Sequence, residues 1–573
     1  MAIWNRAPSE TKTQDAQEIK TTYSDGSDGL ESPAYEYGEG EGHPAGHTAL
    51  HKGLGSRQIT MIAIGGALGT GLIIGTGKAL AQAGPASILI SYTLIGMLVF
   101  LVMCALGEMA AWIPEPGGFV PYATRYVDPA LGFALGYTYW FKYLITTPNQ
   151  LTAAALVIQY WVPANKVNPG VFIAVFLVSI IAINYLGIKF FGELEFVLSS
   201  AKVLVIVGLI ILSLVLALGG GPDHDRKGFR YWKEPGAFAP YIATGALGNF
   251  LGLWSSMITA VFAYLGIELV GVTVGETKNP RKNIPAAIKL TFYRILFFYV
   301  LSVLFLGMLV PYNSPKLLGA NKKSNSASAS PFVLAISLAG IKGLPGFING
   351  CILLFVFSAS NSDLYIASRT IHGLALRGQA PAFLARTNKA GVPIYSLGIS
   401  AAVACIAFLN CADSSKAVFN YLINLVTIFG LLSWISILVS HICFVKARKA
   451  QGVPLADVPY RAPLGIWGSY VALFFCCLIA LTKNFSVFTR SPKTYGAFDY
   501  KNFVTGYLGI PLYLILIFGW KVGMKSKRVK ASKADLFGGK AVIDREQREA
   551  DALDAEKLDG KGWFYRRFVA WLF

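Results

Sequence analysis

The chain has 573 residues, of which 54% are apolar and only 14% charged, and it carries a formal net charge of +19. With a mean hydropathy of +0.52, that composition excludes a disordered chain, a disulfide scaffold and most soluble multidomain enzymes. In a soluble protein such a surplus of bases would point to nucleic acid; here the positions of the bases argue otherwise.

Residues 1–50 hold nine acids and three bases among many Ser, Thr and Gly, so the N-terminal tail, 1–55, is expected to be disordered and acidic. The first apolar stretch begins only near residue 58, which excludes a cleavable signal peptide. From there, twelve stretches free of Asp, Glu, Lys and Arg are each 19 residues or longer: 58–77, 79–107, 143–165, 167–188, 203–222, 235–267, 295–315, 343–362, 390–412, 417–445, 462–482 and 502–520. A bilayer-crossing helix needs about 17–25 residues, and lipid leaves no backbone group free to go unpaired. The expected fold is therefore an all-α integral membrane protein with twelve transmembrane helices. A thirteenth stretch, 324–341, is rich in Ser and Ala and reads as an outer loop with a short helix.

An even number of spans puts both tails on one side. Lys278, Arg281, Lys282 and Lys289, then Arg369, Arg377, Arg386 and Lys389, then Lys446, Arg448, Lys449 and Arg461 cluster in loops of that side. The positive-inside rule makes it the cytosol. Most of the surplus charge thus reads as orientation, with no nucleic-acid partner. Lys142 and Lys202 are the two bases read as deep enough to matter chemically. The seven Cys lie in or at the ends of apolar stretches without metal-ligand spacing and read as small buried hydrophobes. No P-loop, Gly-x-Ser-x-Gly or His-rich motif is present, so an enzyme, a metal site and a cofactor site all lack sequence support.

Two spans look broken. Residues 62–77 of the first hold six glycines, each costing about 1 kcal/mol in a helix relative to Ala. Helix packing explains some of them. Gly69-Thr70-Gly71 at mid-span reads better as an unwound segment, whose N–H groups and half-helix N-terminus can hold an anion. The sixth span carries Phe262-Ala-Tyr-Leu-Gly-Ile-Glu268, a glycine and an acid deep in an apolar run. An acid in a membrane span is functional by default. Breaks at corresponding places in two halves point to a secondary transporter with inverted repeats, the first at about 56–220 and the second at about 240–447, followed by extra spans in 462–523 and a C-tail, 524–573.

Several segments make the chain resemble the amino acid–polyamine–organocation superfamily, in its fungal amino acid permease branch. They are Met61-Ile-Ala-Ile-Gly-Gly-Ala-Leu-Gly-Thr-Gly71, Ala105-Leu-Gly-Glu-Met109, Gly117-Gly-Phe119, Tyr122-Ala-Thr-Arg125, Glu276-Thr-Lys-Asn-Pro-Arg-Lys-Asn-Ile-Pro285 and Asn388-Lys-Ala-Gly-Val-Pro393. Pro148-Asn-Gln-Leu-Thr152, Gly219-Gly-Gly-Pro-Asp-His-Asp-Arg226 and Asn361-Ser-Asp-Leu-Tyr365 look like the dicarboxylic amino acid permeases. The resemblance implies a plasma-membrane proton symporter of the five-plus-five inverted-repeat fold, importing L-glutamate and L-aspartate, with the proton as coupling ion. Broad or neutral amino acid import on the same fold is the alternative. A non-transporting sensor fits less well, because such sensors carry a longer N-tail.

The same resemblance implies the site. The substrate α-carboxylate is expected on the N–H groups of Gly69, Thr70 and Gly71. The α-ammonium is expected on carbonyls near Ala67, Phe262, Ala263 and Leu265, with Phe262 at the place of an aromatic gate. Lys142 stands where many general permeases carry a neutral amide, and Gln150 where they carry a glutamate; both departures favour an anionic side chain. Thr146 and Asn149 share a helical face with Lys142. Lys142 is expected either to contact the substrate carboxylate or to pair with Asp363, and the two can alternate. Lys202 occupies the place where sodium-coupled cousins hold their ion and, with Glu268, is a candidate for proton coupling; snorkelling beside Glu193 and Glu195 is the rival reading. Asn420, Asn424 and Thr427 form a polar stripe that either lines the pathway or ties helices together. Lys12 and Lys20 in the N-tail are available to a ubiquitin ligase or adaptor.

Overall fold

In the computed structural model the described residues are 69–115, 117–269, 280–322, 330–411, 415–489, 498–541, 543–545, 547–548 and 552. They belong to the unit His47–Phe573, they are mostly helical, and no strand occurs among them. A π-helical turn, Gly71–Gly75, leads into α1 (Thr76–Ala83). Then follow α2 (Pro85–Trp112), α3 (Val120–Tyr126), α4 (Pro129–Ile158), α5 (Pro169–Tyr185), α6 (Ile188–Ala217), α7 (Gly245–Tyr264) and α8 (Pro280–Arg294), which continues through a π-turn into α9 (Leu301–Leu309). The second half contains α10 (Pro315–Lys322), α11 (Pro331–Leu338), α12 (Leu344–Leu376), α13 (Ile394–Ala404), α14 (Ser415–Ala450), α15 (Gly465–Thr482), α16 (Tyr500–Tyr507) and α17 (Gly509–Gly523). The short α11 lies in the stretch read as a loop with a short helix.

Local chemistry starts these helices. Asp128 caps α4 by accepting from Ala130 N at 2.9 Å, Asn168 caps α5 through Gly170 N at 2.8 Å, and Ser330 caps α11 through Phe332 N. In each the first helical residue is Pro, whose missing N–H would have had no intrahelical partner.

Eight helices among the described residues are long and apolar enough to cross a membrane, and nine if the bent pair α16–α17 counts as one. Their faces are sorted as lipid requires. On α6, Val197, Leu204, Val207, Ile211 and Leu214 are exposed, while Glu195, Ser199 and Lys202 are buried. Apolar residues outward and charges inward is the pattern of a bundle in hydrocarbon. The structure is thus that of a multi-span membrane protein. The seven Cys are free, and two of them, Cys405 and Cys411, lie on exposed faces rather than in the core.

The two expected breaks differ. After α7 the chain leaves the helix: Leu265 is extended (φ −63°, ψ 137°) and Gly266 has φ +101°, a conformation that favours glycine. In the first span Gly69 is non-helical, but Thr70 is already helical and the winding beyond it is π. Among the described residues, the rearrangement there is a widened turn over Gly71–Gly75 that follows the non-helical Gly69. Residues before Gly69, Ala67 included, lie outside the described residues.

The first part of the C-tail is docked. Trp112 Nε1 donates to Leu536 O at 2.8 Å, and Arg125 donates to Asp535 Oδ2 at 2.8 Å and to Gly538 O at 2.6 Å. Val529 N donates to Val127 O, and Gln451 Nε2 donates to Ala534 O. Leu536 and Ala534 are buried. Residues 526–540 therefore strap the end of α2, the end of α3 with the Val127–Asp128 link to α4, and the end of α14. The stretch 553–573 lies outside the described residues.

Candidate functional site

A narrow cavity collects most of the residues the sequence singled out. It is lined by Gly69, Thr70 and Gly71, by Phe262, Ala263, Leu265 and Gly266 at the break after α7, by Lys142, Tyr143, Thr146 and Gln150 of α4, by Asp363 of α12, and by Leu269 and Val426. Its volume is about 40 Å³, room for about three waters at roughly 10–15 Å³ each. An amino acid is several times larger, so the walls must part to admit one.

The walls touch where glycine allows. A Cβ on Gly71 would lie 2.5 Å from Ala263 Cα and 2.8 Å from Ala263 N. Backbone therefore packs on backbone where the turn Gly71–Gly75 meets the end of α7. A Cβ on Gly69 would meet only Gln150 Nε2, at 3.8 Å.

Lys142 does not pair with Asp363. Its ammonium forms an ion pair with Glu268, both side chains being 1% exposed. The rings of Tyr143 and Tyr139 lie against the same ammonium, at 4.5 and 5.3 Å to their centroids. The pairing follows from the break: turning the chain at Gly266 carries Glu268 toward α4, and its Oε2 accepts from Gly266 N and from Trp434 Nε1. Glu268 therefore braces the broken backbone and neutralises Lys142 at once.

Asp363 faces Gln150 instead. Thr70 donates to Gln150 Oε1 at 2.9 Å, so the amide's NH₂ end is left for Asp363, whose other oxygen, Oδ2, is buried with no partner among the described residues. Asn149 is buried but does not line the cavity; neither of its amide atoms has a partner among the described residues. The lining on α4 is Lys142, Tyr143, Thr146 and Gln150, in which Lys142, Thr146 and Gln150 follow i+4 spacing, whereas Asn149 was expected on that face. Phe262 lines the cavity and packs edge-on against Phe419 at 6.3 Å. Its carbonyl already accepts from Leu265 N, which leaves Ala263 and Leu265 as the freer carbonyls of the break.

Lys202 is wholly buried and does not snorkel. It lies 3.4 Å from Glu195 Oε1, the oxygen that also accepts from Ser199 and, across to α12, from Ser358 at 2.7 Å. The hub ties α6 to α12. The stripe on α14 divides three ways. Asn420 accepts from Lys78 of α1 at 3.0 Å, Asn424 donates to Asn502 of α16, and Thr427 accepts from Lys483 at 3.1 Å. These bonds tie helices together. They also correct the reading that only two bases lie deep: Lys483, 2% exposed, and Arg294, 3% exposed, are buried as well. Lys78 and Lys483 border charge-free stretches just as Lys142 and Lys202 do, and what holds them inside is a partner on another helix, Asn420 for Lys78 and Thr427 for Lys483. No group of three His, Cys, Asp or Glu able to hold a metal ion occurs among the described residues.

Residues 58–533 match the Amino acid permease family. The chain belongs to that family. Over 536 residues, covering 92% of this chain and 87% of the relative, it is 52% identical to the Dicarboxylic amino acid permease of Saccharomyces cerevisiae. It is 40% identical to a Proline-specific permease of Emericella nidulans (90% of this chain, 94% of the relative) and 38% identical to the General amino-acid permease of Saccharomyces cerevisiae (91% and 86%). The protein is thus a transporter rather than an enzyme, and amino acids are the cargo of its family. The cavity of this permease lies where a glycine-rich turn and a broken helix meet, with buried charges on its walls.

Proposed function

We propose that this permease imports acidic amino acids, L-glutamate and L-aspartate, across the plasma membrane by proton-coupled alternating access. The observation that carries the reading is Lys142, a buried ammonium on the wall of the cavity between Gly69–Gly71 and the break after α7. Similarity to a dicarboxylic permease supports it. The α-carboxylate would sit on the N–H groups of Gly69, Thr70 and Gly71, where the helix dipole favours an anion. The α-ammonium would sit on the carbonyls of Ala263 and Leu265. The side-chain carboxylate would then draw Lys142 away from Glu268 as the walls part.

On this reading the fold has twelve spans in a five-plus-five inverted repeat with two extra spans, and both tails are cytosolic. The two breaks, in the first and sixth spans, and the Lys/Arg bias of the loops support that arrangement. The second reading, broad or neutral amino acid import, is favoured by the Glu268 partner, which leaves Lys142 without net charge to offer. Radiolabelled glutamate uptake in a permease-deficient fungal cell, with competition by the common amino acids, separates the two. Competition confined to acidic amino acids is expected, and equal competition by neutral ones would overturn the acidic reading. Glutamate accumulation that survives collapse of the proton gradient would reject symport.

A further inference from the structure

We propose that Asp363 is the residue that carries the co-transported proton. The inference rests on the acidic-substrate reading and deepens it. Of the charged groups at the cavity, Lys142 is neutralised by Glu268, so Asp363 leaves the site with one unbalanced negative charge. An acidic amino acid brings another. As the substrate's side-chain carboxylate takes Lys142 from Glu268, the site holds three carboxylates and one ammonium, and the two left unpaired repel, because little water separates them. A proton on Asp363 removes that repulsion and turns a repelling oxygen into a hydrogen-bond donor for the substrate.

The geometry leaves a place for it. Gln150 occupies one side of the Asp363 carboxylate, while Oδ2 is buried and unpartnered; a buried polar atom ordinarily has a partner. The charged and titratable groups facing Asp363 are Lys142, Tyr139 and Tyr143 from α4, Glu268 from the break, and Lys202 and Glu195 from α6. The helices α5, α11 and α13, which also pack on α12, carry no acid or base. On α12 itself Arg369 stacks on Tyr365 and His372 bonds to Leu384 O. Asp363 thus lies in the fields of both buried ion pairs, Lys142–Glu268 and Lys202–Glu195, and is the one acid of the three without a basic partner of its own. In each cycle an O–H bond forms at Asp363 with a proton from the outer solution as substrate enters, and breaks on the inner side as that proton passes to cytosolic water.

Reconstituted wild type and Asp363→Asn test this by glutamate uptake with simultaneous measurement of proton flux. In wild type the apparent KM for glutamate should rise about tenfold per pH unit on its alkaline limb, the slope for one linked proton. In Asp363→Asn that slope should vanish and the accompanying proton flux fall to background. An Asn variant that still accumulates glutamate with wild-type proton flux would overturn the proposal. Infrared difference spectra with ¹³C-glutamate supply a readout that needs no folded Asn variant. A protonated-carboxyl band should appear when wild type binds substrate and shift in Asp363→Glu. No such band, or one that does not move in the Glu variant, would also overturn it. If wild type itself takes up no acidic amino acid, or needs no proton gradient, the acidic symport reading fails first. If wild type is coupled and the Asn variant stays coupled, only the role of Asp363 fails.

Discussion

Lys142 of α4 and Glu268, four residues beyond the end of α7, form an ion pair in which each side chain is 1% exposed. Breaking such a buried pair from one side leaves a bare charge and costs about 3–5 kcal/mol. Glu268→Gln should therefore lower unfolding stability by about that much, and adding Lys142→Gln should recover part of the loss. Thermal or denaturant unfolding of the purified variants reads this directly. A single Glu268 variant as stable as wild type would argue that Lys142 is paired elsewhere.

Gly69 and Gly71 should answer differently to Ala. At Gly71 a methyl meets the backbone of Ala263 at 2.5 Å, which no side-chain adjustment relieves. Overpacking of this kind costs about 1–3 kcal/mol, so kcat/KM should fall roughly ten- to hundredfold. At Gly69 the nearest atom is 3.8 Å away, and most transport should remain. Uptake kinetics of the two variants, normalised to surface protein, decide it; equal losses would contradict the close approach of the two spans.

The Glu195 hub leads to a comparable expectation for Lys202. Removing the ammonium in Lys202→Met strands a buried carboxylate held only by Ser199 and Ser358. Expression and stability should drop, and Lys202→Met/Glu195→Gln should fold better than the single variant. Folded protein measured by size-exclusion chromatography checks this, and a single variant that folds as well as the double would remove the structural role.

How much of this was legible follows from what each feature requires. The apolar stretches and the glycine and acid after Phe262 are local properties of the chain, and they read directly, whereas the sequence left Lys202 open between burial and snorkelling. The partner of Lys142 is not local: Asp363 and Glu268 were both available acids, and only the turn at Gly266 decides between them. Lys78 and Lys483 border charge-free stretches just as Lys142 and Lys202 do, but the groups that hold them inside, Asn420 and Thr427 of α14, are distant in sequence. The strap at 526–540 was hidden by its polar composition, which resembles a solvated tail. Its attachment depends mainly on backbone carbonyls, to which Trp112, Arg125 and Gln451 donate.

That strap should be sensitive to acid. At Asp128 partial burial works against the charged form. The Lys521 ammonium, the Ala130 N–H and the Ser526 hydroxyl outweigh it and hold the carboxyl below its ordinary value. At Asp535 burial is likewise outweighed, by the Gly538 N–H and the Arg125 guanidinium. A carboxyl whose folded value is depressed adds stability above its unfolded value of about 4 and loses it as pH falls through the lower folded value. The strap should therefore stay docked above about pH 5 and loosen below about pH 4. Hydrogen exchange over 526–540 should be slow at neutral pH and rise in acid. Arg125→Ala should raise it already at neutral pH, and protection unchanged in that variant would contradict the contact.

The most direct test of the acidic-substrate site is the ratio of kcat/KM for glutamate to that for glutamine, measured in wild type and in Lys142→Gln. The two substrates differ only in the side-chain group that Lys142 is held to read. Wild type should favour glutamate strongly, and the variant should lose most of that preference while glutamine transport falls far less. An equal fall for both substrates, with the ratio unmoved, would contradict the assignment of Lys142 as the group that recognises the substrate's side-chain carboxylate.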